Sequence, residues 1–363
     1  MILLLKPLIG LTICLSDKIF IYHLLFLILI IKDEYCLILF LENMKSILVT
    51  QASGLIGYSI LRSLKESKYN YHLYGSTIYD NSIALAFCDK FLKCPLTTDK
   101  NYINWLLKII EEYAIDLIIP AATVDVTCWN THRAILEESN VKMVLNSHEL
   151  ITLCDDKWEF YKVLEKINCH HAIPTTLESD FDNLVKKLGL PFLLKPRQSE
   201  ASRGIIKVTN EEIFNSNKNR IGTELMVQQI VGNNDEEYTA IAFCDGKGEY
   251  YNIIIFKRKL AMQGYTNEAE VCFNKNIEEA VLNICKIFKP IGPTNFQFRI
   301  QENRIVLLEI NARFSSSTSI ASAFGFNIPI MAAEFYLDDI IPKKPEIKKG
   351  RAIRYIEDHI FYT

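Results

Sequence analysis

Four residues toward the C-terminal end of this 363-residue chain combine types and spacing that suit chemistry: Gln297, Glu309, Asn311 and Arg313. One carboxylate and two amide oxygens are hard donors. They suit Mg²⁺, which keeps several waters and completes its shell with nucleotide phosphates. Arg313 shares the parity of Glu309 and Asn311, and its guanidinium fork matches a transferring phosphoryl group. Each residue alone is as well explained by an ordinary hairpin with a Glu309–Arg313 salt bridge. Together they read as the metal and phosphate end of a nucleotide site.

Positioning them requires a β-hairpin. Phe296, Phe298 and Ile300 alternate with Asn295, Gln297 and Arg299, the period of a half-buried strand. Residues 305–310 are nearly all apolar, which predicts a second strand covered on both faces. A carboxylate there is costly unless it is paired or binds a metal. Whether Gln297 lies beside Glu309 depends on the turn at Gln301-Glu302-Asn303. A bulge or an odd-length loop brings them together, and a plain two-residue loop does not.

This segment resembles the metal-binding hairpin of the ATP-grasp superfamily, in particular one ATP-grasp half of the large subunit of carbamoyl-phosphate synthetase, of carboxylate–amine ligase type. Residues 292–298 match that family's Gly-Pro-x-Asn-x-Gln-Phe strand, and residues 309–313 match its Glu-x-Asn-x-Arg strand. The resemblance implies an α/β chain in which an ATP-grasp fold, two α+β lobes sandwiching ATP, follows a Rossmann-like parallel βα pre-ATP-grasp domain. Residues 44–146 are then the pre-ATP-grasp domain, and 147–338 the ATP-grasp domain with its lid lobe at about 185–230. Residues 339–363 are a C-terminal tail, lysine-rich and then strand-like.

Residues 1–43 are apolar without helical or strand periodicity. Their longest uncharged run, residues 19–31, falls short of the roughly 20 residues that cross a bilayer. No small-residue cleavage site follows. We read them as a leader outside the fold, with Met44 as the true start; a short membrane anchor is the alternative. Beyond it, residues 47–50 predict a buried strand, 51–57 a turn, and 58–65 a helix. Further βα alternation to about residue 145 predicts a parallel sheet. Gly54 and Gly57 stand where a phosphate could meet a helix N-terminus, yet Gln51 replaces the first glycine of a dinucleotide fingerprint. Asp125 follows the third predicted strand as a helix cap or a substrate contact.

Lys195 falls in the predicted strand Pro-Phe-Leu-Leu-Lys-Pro, where a lysine among leucines needs an anionic partner such as a triphosphate. The family places there a lysine that reaches the α- and β-phosphates, followed by a closing loop, which here carries Ser199, Ser202 and Gly204. Lys157, after two aspartates, takes the family position of a phosphate-contacting lysine. Gln228, Gln229 and Ile230 stand where the family reads adenine beside an acidic residue, which is absent here. Glu237 takes the position that contacts ribose hydroxyls. Arg258, in the basic end of a strand over 250–260, could meet the γ-phosphate or an acidic substrate. Thr209 with Glu212 predicts a helix cap, and residues 277–288 predict the helix leading into the hairpin.

A net charge of −3, a pI near 6.2 and the lack of any block of like charge exclude a nucleic-acid partner. Ten cysteines without CxxC spacing read as reduced thiols in the cytoplasm. The resemblance implies a ligase using ATP and Mg²⁺, with Mn²⁺ as a substitute: a carboxylate becomes an acyl phosphate, an amine captures it, and ADP and phosphate leave. Arg313, Lys195 and Arg258 are the catalytic candidates, and Gln297, Glu309 and Asn311 the metal ligands. Small-molecule carboxylate and amine are the partners, with a homodimer allowed and no membrane contact unless residues 1–43 are an anchor. The chain is too short for both halves of a complete synthetase large subunit, so a free-standing ligase is expected. The GxxG turn supports an NAD-dependent oxidoreductase or nucleotide-sugar enzyme as a second reading. The glycine-poor loop and Gln228 support a non-catalytic ATP-binding protein as a third.

Overall fold

Short runs of buried aliphatic residues build a parallel sheet first, and helices cover both of its faces. The elements are β1 (Ser46–Val49), α1 (Leu55–Lys65), β2 (His72–Thr77), β3 (Lys90–Lys93), α2 (Tyr102–Glu112), β4 (Leu117–Ile119), α3 (Thr123–Thr131), α4 (Arg133–Glu138) and β5 (Lys142–Met143). The strand order is β3-β2-β1-β4-β5, with parallel pairing throughout. All residues of β1 and β4 are buried, as a sheet covered on both sides requires. Strand order reverses between β1 and β4, and the loops after these two strands flank the crevice that ligands use in open α/β sheets. The structure, a computed structural model, describes residues 44–199 and 203–362, without the side chain of Asn234. The expectations for residues 1–43 and for Ser202 lie outside the described residues.

The helix after β1 starts at Leu55, three residues earlier than periodicity suggests, so Gly57 lies in its first turn. A Cβ on Gly57 would sit 2.3 Å from the carbonyl oxygen of Gln51, which itself adopts a left-handed φ of 49°. Close packing of turn against helix therefore explains this glycine without a dinucleotide. Asp125 does not cap α3, and instead of standing in a loop to meet a substrate it is fully buried within that helix.

A four-stranded antiparallel sheet, β6-β9-β7-β8, follows. Its elements are α5 (His148–Asp155), α6 (Lys157–Lys166), β6 (Thr175–Thr176), α7 (Phe181–Leu188), β7 (Phe192–Pro196), β8 (Ile206–Val208), α8 (Glu211–Asn215) and β9 (Leu225–Gln229). Leu184, Phe192, Leu194, Phe214 and Val227 fill the core beneath it. Asp156 caps α6 by accepting from the Trp158 and Glu159 amides. Asn210 rather than Thr209 caps α8, its side chain accepting from the Ile213 amide. Asparagine is the better N-cap of the two.

The third sheet is antiparallel, ordered β14-β13-β10-β11-β12-β15. It comprises β10 (Glu237–Asp245), β11 (Tyr250–Leu260), β12 (Thr266–Val271), α9 (Lys275–Phe288), β13 (Ile291–Gln301), β14 (Arg304–Asn311), α10 (Thr318–Ala323), α11 (Ile328–Asp338) and β15 (Arg351–Ile353). Ile277, Ala280, Val281, Ile284 and Cys285 form one stripe of α9 and pack with Phe296 and Phe298 of β13. Each buried Ile or Val there contributes about 1.5–3 kcal/mol. The tail supplies β15, an edge strand on β12. All three sheets belong to one compact unit, Ser46–Thr363. Among the described residues no helix is long and apolar enough to cross a membrane.

The Gly57→Ala substitution is expected to destabilise the chain by about 1–3 kcal/mol through overpacking. Gly54→Ala, whose Cβ would lie 3.2 Å from the same oxygen, should cost less. Urea unfolding of the two variants checks the order.

Candidate active site

β13 and β14 close through the two-residue loop Glu302-Asn303, both residues with positive φ, as a type I′ turn requires. Unbroken pairing from that loop would put Leu308 opposite Gln297. A bulge intervenes instead: Phe298 pairs with Leu307, Gln297 pairs with Glu309, and Leu308 is left over. Leu308 packs with Ile173, Val231 and Val306, which gives the extra residue an apolar seat. Of the two registers left open by the sequence, the structure takes the bulged one. Asn295 lies opposite Asn311, so Asn295, Gln297, Glu309 and Asn311 form two facing pairs.

These four line a cleft of about 660 Å³, a size suited to a small-molecule ligand. Lys157, Lys195, Arg203, Arg258, Arg299 and Arg313 supply its cations, against the carboxylates of Asp155, Glu237 and Glu309. Six positive against three negative side chains favour a polyanion.

Lys195, on β7, is only 9% exposed. Burial pulls its ammonium down to about 8, opposed by Glu309 and reinforced by Lys157 and Arg299. Burial pushes Glu309 the other way, but Lys195, Lys157, the Asn311 amide and Arg258 outweigh it, and its carboxyl stays below the usual range. Asn311 Nδ2 donates to Glu309 Oε1 at 3.0 Å. Lys157 opens α6 and donates to the Ser199 carbonyl at 2.6 Å, tethering the start of the following loop. The neighbouring Asp156 holds Arg197 at 2.6 Å.

Glu237 starts β10 with both oxygens engaged, Oε1 by Arg258 Nη2 at 3.0 Å and Oε2 by Arg299 Nη2 at 2.9 Å. Arg258 Nη2 also donates to Gln297 Oε1 at 2.6 Å. Burial lowers the Arg258 guanidinium from its ordinary value, and Glu237 opposes this. Arg313 donates through Nε to Thr123 Oγ1 at 2.8 Å and through Nη1 to the Phe314 carbonyl at 2.9 Å.

The cleft thus gathers Lys157, Lys195, Ser199, Gln228, Glu237, Arg258, Gln297, Glu309, Asn311 and Arg313. Gln229 and Ile230 are not among its lining residues; the alternation of β9 turns Met226 and Gln228 inward. Gln228 Nε2 donates to Thr175 Oγ1 at 3.0 Å. Gly204, with φ 74°, passes beside Pro196 at the far end of the loop. Sequence reasoning missed Asn295 and Arg299 as site residues, although both share the parity of Gln297. It also missed Thr123, for which no sequence signal exists.

One carboxylate and three amides are an all-oxygen set that fits Mg²⁺ with phosphates completing the shell. Among the described residues no group of three or more His, Cys, Asp or Glu side chains could hold a metal. A soft-metal centre is therefore not built there.

Fold and sequence both resemble those of ATP-grasp proteins. Residues 223–359 match the family model described as ATP-grasp in the biosynthetic pathway with Ter operon, and residues 56–144 match the one described as PylC-like, N-terminal domain. More particularly, the chain is similar to carbamoyl phosphate synthase large chains. It is 23% identical over 359 residues to that of Lachnoclostridium phytofermentans, covering 88% of this chain and 33% of the relative. It is 25% identical over 267 residues to that of Methanothrix thermoacetophila, covering 66% and 25%. The chain thus spans a quarter to a third of the length of these relatives. Among solved structures, N5-carboxyaminoimidazole synthetase from Staphylococcus aureus complexed with ADP superposes with a TM-score of 0.65 at 17% identity, over 84% of this chain and 80% of that one. Biotin carboxylase from Campylobacter jejuni, in its β,γ-ATP complex, gives 0.67 at 18% identity, over 85% and 74%. Both share the fold.

Removing Glu237 takes one shared carboxylate away from the buried Arg258 and the largely buried Arg299. Glu237→Ala is expected to cost about 3–5 kcal/mol of stability in urea unfolding, with Glu237→Gln costing less. A loss under 1 kcal/mol would contradict the geometry.

Proposed function

We propose that this chain is a ligase dependent on ATP and Mg²⁺, which activates a carboxylate as an acyl phosphate and passes the acyl group to an amine. An amide-type bond forms, and ADP and phosphate leave. The observation that carries this reading is the pairing of Gln297 with Glu309 and of Asn295 with Asn311 in one cleft with Lys157 and Lys195.

Lys195 and Lys157 bind phosphate oxygens, and Lys157 at the same time donates to the Ser199 carbonyl. Glu309, Asn311 and Gln297 hold the metal, which when bound neutralises phosphate charge. Arg258 keeps the Gln297 amide oriented, and Glu237 keeps Arg258 and Arg299 in place. Arg313 presents its guanidinium to the transferring phosphoryl group. The protein's contribution is mainly positioning and preorganised charge. The loops after β1 and β4 bring Gln51, Gly54 and Ala122 to the cleft, where they line the acceptor side. All eight cysteines among the described residues are free, which suits the reducing cytoplasm in which we place the chain.

Thermal unfolding tests the reading. Mg·ATP should raise the melting temperature, while ATP with a chelator and NAD should not, because only a ligand bound by the native state stabilises it. In Glu309→Ala the Mg-dependent rise should vanish. Stabilisation by NAD alone would move the function to the turn after β1 and sink the proposal.

A pH series gives an independent check. The folded Lys195 amine titrates near 8, below its ordinary 10.5, so it is protonated below that pH and loses its proton above it. Nucleotide affinity should be flat below pH 7.5 and weaken roughly tenfold per unit as pH rises past 8. Calorimetric titration should show this slope in the wild type and its absence in Lys195→Met.

A further inference from the structure

Arg313 lies two residues beyond the end of β14, where the sheet no longer fixes the backbone. A long side chain in that place samples several rotamers unless something outside the hairpin holds it. Two of its hydrogen bonds contribute to this: Thr123 Oγ1 accepts from Nε at 2.8 Å, and the Phe314 carbonyl accepts from Nη1 at 2.9 Å. Together they set the plane of the guanidinium. The second anchor is local to Arg313; the first belongs to the N-terminal parallel sheet.

Thr123 is the first residue of α3, and its side chain does not cap that helix. Two residues on, Asp125 is fully buried and fastens α3 to the sheet. Its Oδ2 accepts from Thr50 Oγ1 at 2.6 Å, just past the end of β1, and its Oδ1 accepts from Thr97 Oγ1 at 2.6 Å. Tyr102 of α2 lies 3.5 Å from the same Oδ1 and receives the Trp129 indole N–H at 3.3 Å. Val126 and Trp129 share a hydrophobic cluster with Ala312, the residue before Arg313. Thr123 therefore stands on a rigid base.

We propose that Thr123 is a positioning residue, which holds the Arg313 guanidinium in place for phosphoryl transfer and is itself anchored through Asp125 to the N-terminal sheet. The inference rests on the phosphoryl-transfer role proposed above for Arg313. It makes the N-terminal sheet part of the transfer apparatus as well as the wall of a substrate pocket.

The test measures ADP affinity with Mg²⁺, alone and with fluoroaluminate, a planar mimic of the transferring phosphoryl group, so that no acceptor is needed. The wild type should bind ADP more tightly with fluoroaluminate, and Arg313→Ala should lose that gain. Thr123→Val, which keeps the side-chain shape and removes the acceptor oxygen, should lose about tenfold to a hundredfold of the gain while binding ADP alone as the wild type does. Thr123→Ser should restore it. If the wild type shows no gain, or Arg313→Ala keeps it, the role of Arg313 fails and the inference goes with it. If Arg313→Ala loses the gain and Thr123→Val keeps it, the positioning role is overturned while that of Arg313 stands. Equal loss of plain ADP binding in Thr123→Val would mean that Thr123 is only structural, which also overturns it.

Discussion

Lys195 and Glu309 both sit where burial disfavours their charged forms, and each offsets part of the burial cost of the other. Lys195 comes from β7 in the four-stranded sheet, and Glu309 from β14 in the six-stranded sheet. Their mutual dependence means that the site is a property of two sheets brought together. The balance is uneven: Glu309 keeps its charge, while the Lys195 ammonium is weakened to about 8. A polyanion entering the cleft would complete the compensation that Glu309 supplies in part.

A second buried assembly lies beside the first. Arg258 from β11 meets Glu237 from β10 and Gln297 from β13, and Arg299 closes on the same carboxylate. One carboxylate thereby fixes two guanidinium groups, and through Arg258 it fixes the amide of a metal-ligand candidate. The three adjacent strands are locked where backbone pairing alone would leave the side-chain rotamers open. Such a network is costly to break, so it doubles as structure and as preorganisation.

Much of this was legible in the residues. Alternation at Phe296, Phe298 and Ile300 defined β13, and the apolar surroundings of Lys195 and Glu309 marked both as charges needing partners. The register was not legible, because the bulge is decided by where Leu308 packs, against Ile173 and Val231 far away in sequence. Helix α3 was hidden for a related reason: its buried residues include Asp125 and Asn130, so no apolar stripe announces it. Gly57 looked like half of a cofactor fingerprint until the Gln51 carbonyl was seen against it. Thr123 gave no signal, since its partner lies 190 residues away.

The unpaired Leu308 also changes what a single strand can display. Strict alternation would give Leu308 and Glu309 to opposite sides of β14, yet both line the cleft. An apolar side chain and an ionised carboxylate thus face the same cleft from consecutive residues. In the proposed complex one short run of backbone would offer a nucleotide both an apolar surface and a charged metal ligand.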